Sequence, residues 1–145
     1  MLQWIRDRLE QAPWPDVPAG DPWSYGTDPL LMREALDHWL NHYDWRAQET
    51  RLNRFEQAIA TIDGQDIHFV HVRGEGPNPR PLILTHGWPG SFVEFQHTIE
   101  PLTRPSAHGG RAQDAFSFVI PSLPGFGFSG KPATTVGPRA IARLF

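Results

Sequence analysis

Residues 80–91 read Arg80-Pro81-Leu82-Ile83-Leu84-Thr85-His86-Gly87-Trp88-Pro89-Gly90-Ser91. Leu82 to Thr85 is a short apolar run bounded by turn residues, which predicts a buried strand. After it, Phe92, Phe95, Ile99 and Leu102 recur at helical spacing and predict a helix from Phe92 to Leu102. Ser91 and Glu94 have the S-x-x-E spacing of a capping box at its start. The stretch His86 to Ser91 is therefore a sharp strand-to-helix turn. Gly87 lacks a Cβ and permits an unusual backbone angle or the close approach of a ligand. Pro89 removes one donor and suits a cis bond after Trp88. The remaining N–H groups of the turn can face an anion, which is the geometry an oxyanion hole needs.

On the N-terminal side of this turn the pattern is helical first. Leu2, Ile5 and Leu9 mark a short amphipathic helix that ends before Pro13. Pro13 to Gly26 is rich in Pro, Gly and Asp, and reads as an irregular segment pinned by Trp14, Trp23 and Tyr25. Asp28 and Pro29 supply an N-cap and a first helical residue, followed by the stripe Met32, Leu36, Trp39, Leu40 and Tyr43. Asp44 caps a further helix through Trp45 and Leu52. The period then changes. Ala58 to Asp63 and Ile67 to Arg73 flank a turn, and Asp63-Gly64 is a hairpin signal.

On the C-terminal side, a polar loop runs from Thr103 to Asp114 and a strand from Phe116 to Ile120. A Gly/Pro loop then covers Pro121 to Pro132, and Val136 to Phe145 opens another helix. Helices, then a hairpin, then strand, helix, strand and helix give the beginning of an open α/β sheet. The expected division is a helical region over 1–57 and the sheet over 58–145.

Composition narrows the function classes. The 145 residues carry a net charge of −3, which argues against a nucleic-acid surface. The absence of cysteine removes disulfides, thiolate catalysis and a Cys-based zinc site. No apolar run approaches the roughly 20 residues of a membrane span. The charged, helical N-terminus does not read as a signal peptide, so a cytoplasmic protein is the expectation.

Other motifs are incomplete. Gly125-Phe126-Gly127-Phe128-Ser129-Gly130 is formally G-x-G-x-x-G, yet Pro121 and Pro124 separate it from its strand and Pro132 ends it. A dinucleotide site needs a glycine turn leading directly into a helix. Gly125 to Lys131 also spells G-x-x-x-x-G-K, but Pro132 stands where Ser or Thr would hold Mg²⁺. Ser129 misses G-x-S-x-G because Lys131 replaces the last glycine. A rigid loop beside a pocket is the better reading. His68 and His71 are three apart in a strand, face opposite sides and cannot share a metal. Asp63 and Asp66 are turn residues. His86 reads either as a brace of its turn through hydrogen bonds or as an acid or base. Trp88 reads either as core packing or as pocket lining.

The blocks Tyr43-Asp44-Trp45-Arg46, Ile62-Asp63-Gly64, Ile67-His68-Phe69, Pro81 to Ser91, Glu94-Phe95 and Leu123 to Ser129 together resemble the microsomal-type epoxide hydrolases. The resemblance implies a partial α/β-hydrolase fold, with an N-terminal helical region and the first four strands of the sheet. It implies conversion of an epoxide to a diol without metal or organic cofactor. In that family an Asp forms an ester with the epoxide carbon and a His paired with an acid activates water. Two cap tyrosines assist ring opening. The His-Gly-X-Pro loop stabilises the oxyanion during ester hydrolysis. That role falls here on His86, Gly87, Trp88 and Pro89, with the Trp88 N–H as donor. The partner is a small-molecule epoxide, and the oligomeric state is left open.

No residue of the sequence matches the nucleophile, the catalytic His or its acidic partner. Tyr25 and Tyr43 do not match the cap positions. The resemblance therefore implies an N-terminal portion, clipped before the nucleophile elbow, and inactive alone. Rival readings are another α/β-hydrolase chemistry, such as esterase or dehalogenase, and a truncated product without catalysis.

Overall fold

A computed structural model describes all residues, Met1 to Phe145. The chain divides into two compact units, Met1–Gln48 and Glu49–Phe145. The first holds helices α1 (Leu2–Glu10) and α2 (Pro29–Asn41) and the start of α3 (Trp45–Asn53). The caps follow the sequence. Asp28 Oδ1 accepts the Leu30 N–H at 2.9 Å, with Pro29 in the first turn. Asp44 Oδ1 accepts the Ala47 N–H at 3.0 Å. The irregular segment between α1 and α2 is held by one aromatic: the Arg33 guanidinium lies over Trp14, 4.4 Å from the ring centroid. Trp23 and Tyr25 are exposed rather than packed into a core.

The second unit is a four-stranded sheet in the order β1-β2-β4-β3, with β1 Glu56–Ile62, β2 Gln65–Val72, β3 Arg80–Ile83 and β4 Phe116–Pro121. Asp63 and Gly64 make the two-residue β1–β2 turn, with φ of +50° and +78°. Both residues have positive φ, as a type I′ hairpin requires, and Asp and Gly are the residues that tolerate it. The β2–β4 pairing is antiparallel and the β3–β4 pairing parallel. Pro81 is accommodated because β3 is an edge strand. The Arg80 and Leu84 N–H groups donate to Ala115 and Val119 of the β4 side, which leaves the Pro81 position facing outward.

The helix expected from Phe92 to Leu102 is broken. A 3-10 turn covers Phe92–Phe95, and α4 begins only at Ile99 and ends at Thr103. Pro101 explains the break: its ring clashes with the carbonyl four residues earlier, so an α-helix cannot run through it. With α4 starting at Ile99, Pro101 falls in the first turn, where no intrahelical N–H is required. The helix expected after Val136 is a single turn, α5 (Pro138–Ile141). Val70, Phe92, Ile99, Phe118 and Ile120 form the core, with Leu52, Phe55, Leu82 and Leu84 packed on it. Burying such side chains contributes about 1.5–3 kcal/mol each. Leu84, just after β3, packs on this core, and the His86–Ser91 turn leads from it to the core residue Phe92.

Candidate oxyanion loop

The loop is built by three local devices. Ser91 and Glu94 make the capping box: the Ser91 N–H donates to Glu94 Oε1 at 3.2 Å and Ser91 Oγ accepts the Val93 N–H at 3.4 Å. The Trp88–Pro89 bond is cis. The Gly90 N–H donates to the Gly87 carbonyl at 2.8 Å, closing a four-residue turn with the cis proline at its third position. A Cβ at Gly90 would displace the Glu94 carboxylate from its place in the capping box.

His86 is buried at the root of the loop, with 4 % of its surface exposed. Its Nε2 accepts the Leu123 N–H at 3.1 Å. A nitrogen that accepts an N–H carries no proton of its own, so the ring proton sits on Nδ1. Nδ1 then donates to the Gly87 carbonyl at 3.1 Å. Both ring nitrogens are thus occupied by the backbone. The geometry is that of a brace for the turn, with neither nitrogen directed at a substrate. The Phe126 ring packs against His86 with centroids 5.4 Å apart.

Of the two sequence readings of Trp88, core packing does not hold. Its side chain is 84 % exposed and packs into no core. Its N–H has no acceptor within the chain. Gly87 does not adopt positive φ, and a Cβ there would meet open space. The backbone and packing of this chain do not require glycine at that position.

The Gly125–Gly130 segment borders this loop. It closes on itself through Gly125 N–H to Gly130 O at 3.0 Å, and Gly130 N–H donates to Asp66 O at 2.8 Å. Gly127 has φ +51°, and a Cβ there would lie 2.6 Å from Ser122 Oγ. These glycines serve close packing on Ser122 and the hairpin. No helix starts at the last of them, as a phosphate site would need.

His68 is hydrogen-bonded at both ring nitrogens. It is 3 % exposed, with Nδ1 2.9 Å from Ser122 Oγ and Nε2 2.9 Å from Gln57 Oε1. The Gln57 amide nitrogen donates to Leu52 O at 3.1 Å, which turns Oε1 toward the ring. The His68 proton therefore sits on Nε2, and the Ser122 hydroxyl donates to Nδ1. Burial lowers the His68 pKa from 6.5. Ser122 is fully buried, and Phe92 and Phe128 stand edge-on to the imidazole. This serine, histidine and glutamine tie β1, β2 and the segment after β4 together through buried hydrogen bonds. His71 is exposed on the opposite face of β2. No group of metal-ligating side chains is assembled in the chain, and no helix is long and apolar enough to cross a membrane.

The family profile described as "Epoxide hydrolase N terminus" matches residues 1–95. The chain belongs to the epoxide hydrolase N-terminal family. Among relatives, an epoxide hydrolase-named protein of Stigmatella aurantiaca is 46% identical over 128 residues, covering 88% of this chain and 29% of its own length. Epoxide hydrolase 1 of Oryctolagus cuniculus is 40% identical over 109 residues, covering 72% of this chain and 24% of its own. The epoxide hydrolase of Aspergillus niger superposes on 99% of the chain with TM-score 0.81 and 30% identity, using 38% of its own length. The juvenile hormone epoxide hydrolase of Bombyx mori does so with TM-score 0.86 and 29% identity, using 34%. The fold is therefore part of an α/β-hydrolase of the epoxide hydrolase type. This epoxide hydrolase N-terminal chain spans 24% to 29% of the length of these two curated relatives.

Proposed function

We propose that this chain supplies the helical region and the oxyanion loop of an epoxide hydrolase, with the Trp88 N–H as the oxyanion donor. The observation that carries the reading is the braced His86–Gly90 turn. It fixes the Gly87–Trp88 peptide by two hydrogen bonds to its carbonyl while its N–H has no acceptor in the chain. A fixed donor with no competing acceptor stabilises charge that develops later in the reaction, and one such donor contributes about 3 kcal/mol to the barrier. In the reaction proposed, a carboxylate opens the epoxide of a small molecule and an ester forms. Water then adds to the ester carbonyl, and the Trp88 N–H takes the resulting oxyanion. The His86 ring orients the loop and transfers no proton.

The test uses the native polypeptide that carries this sequence, with a terminal epoxide, an aryl ester and a haloalkane as alternative substrates. The reading expects diol from the epoxide. In labelled water, it expects the oxygen of the first turnover to come from the protein rather than the solvent. Ester or haloalkane turnover without diol would assign the loop to another hydrolase chemistry.

A further inference from the structure

The Gly87–Trp88 peptide stands at the end of a directional chain of hydrogen bonds that starts on β2. The His68 N–H donates to Ser129 Oγ at 2.9 Å, and the Ser129 hydroxyl donates to the Ser122 carbonyl at 2.7 Å. The Ser122 carbonyl and the Leu123 N–H belong to one peptide group. That N–H donates to His86 Nε2 at 3.1 Å, and His86 Nδ1 donates to the Gly87 carbonyl at 3.1 Å. The Gly87 carbonyl in turn shares its peptide group with the Trp88 N–H. Each member accepts from the one behind and donates to the one ahead. Accepting a bond at a carbonyl, or at one imidazole nitrogen, makes the N–H at the other end a stronger donor, so the links reinforce one another.

We propose that Ser129 is a positioning residue for the oxyanion donor, acting through this relay. Ser129 is its amphoteric member. It must accept from His68 and donate to Ser122 at once, which a hydroxyl does and a methyl does not. Its place is fixed independently: the Gly125–Gly130 closure and the Gly130–Asp66 bond hold the loop on β2, and Gly127 allows the loop to close over Ser122. Without the Ser129 bond, the Ser122–Leu123 peptide loses the contact at its carbonyl end. The Leu123 N–H then becomes a weaker and less directed donor to His86. The consequence reaches the Gly87–Trp88 peptide without Ser129 itself touching a substrate. The relevance to catalysis rests on the assignment of the Trp88 N–H above, but the relay is measurable without turnover.

The test is nuclear magnetic resonance of the ¹⁵N-labelled chain. In the wild type, His86 Nε2 gives the signal of an unprotonated acceptor and shows a coupling through the hydrogen bond to the Leu123 nitrogen. In Ser129→Ala the Leu123 and Trp88 amide protons both move upfield, while amides of the Met1–Gln48 unit stay in place. Ser129→Thr, which keeps the hydroxyl, restores both. Should Ser129→Ala fail to fold, Ser129→Cys carries the same comparison, since a thiol is a weaker donor and gives a smaller shift of the same sign. A protonated Nε2 in the wild type overturns the proposal. So does a Trp88 amide that stays unmoved while Leu123 shifts. Absence of diol formation in the native polypeptide would instead count against the epoxide reading and leave this result intact.

Discussion

The Leu123 N–H donates to His86 Nε2 at 3.1 Å, joining the segment after β4 to the loop after β3. One imidazole therefore ties two segments that are 37 positions apart in sequence. Replacing it by a methyl leaves the Leu123 N–H and the Gly87 carbonyl each short of a partner and opens a cavity. His86→Ala is expected to lose about 2–4 kcal/mol by the sum of unsatisfied polar groups and lost packing. Equilibrium urea unfolding of the two proteins gives the number. A loss within error of zero would mean that the brace carries no load.

Two glycines beside the site should respond differently to alanine. Gly87→Ala places its Cβ in open space without positive φ, so stability should change by less than about 0.5 kcal/mol. Gly127→Ala combines φ +51° with a Cβ 2.6 Å from Ser122 Oγ, and should cost about 1–3 kcal/mol. Thermal unfolding of both variants checks the contrast. Equal losses would contradict the account of Gly87 as a position where backbone and packing do not require glycine.

Stability should fall with acidity in two separate limbs. Burial holds the folded-state pKa of His68 below 6.5, so the unfolded chain takes up a proton that the folded chain refuses. This contribution is complete above pH 6.5 and is lost as the pH falls below that value. Glu75 has its pKa lowered from 4.5, first by the Ser106 hydroxyl at 2.6 Å, then by the Ser106 N–H at 2.7 Å. Its contribution is present above 4.5 and is lost as the pH drops through the lowered folded value. Midpoints of thermal unfolding measured from neutral to acid pH should show that His68→Gln flattens the upper limb alone and Glu75→Gln the lower limb alone.

The outer side of β3 is a pairing surface. Ile83 is 47 % exposed on a strand bonded on one side only. Apolar edge strands of this kind add strands from other molecules. The isolated chain should show a sedimentation coefficient that rises with concentration, and Ile83→Lys should suppress the rise while leaving the unfolding midpoint nearly unchanged. A monodisperse wild-type chain would contradict this.

Much of the fold was legible because its signals are local. Asp28-Pro29, Asp63-Gly64 and the Ser91–Glu94 box each act within four residues, and each does in the structure what its spacing implies. Pro101 is a local signal too, yet the apolar stripe through Leu102 masked it, and the helix breaks as proline chemistry requires. The roles of His68 and Ser129 could not be read locally. Their partners lie 54 and 61 positions away, so only the closed β2–β4 pairing brings them together. For Trp88 the sequence left core packing and pocket lining open, and the fold removes the first, since the side chain is exposed.

The central claim is that the Trp88 N–H stabilises the oxyanion of ester hydrolysis. It is tested most directly by replacing the Gly87–Trp88 amide with an ester in the native polypeptide, which removes that N–H and leaves every side chain in place. Single-turnover kinetics with an epoxide then separate formation of the enzyme ester from its hydrolysis. The account predicts hydrolysis slowed by about 10²–10³-fold, the value of one oxyanion donor, with ester formation unchanged. Hydrolysis at the wild-type rate would contradict it.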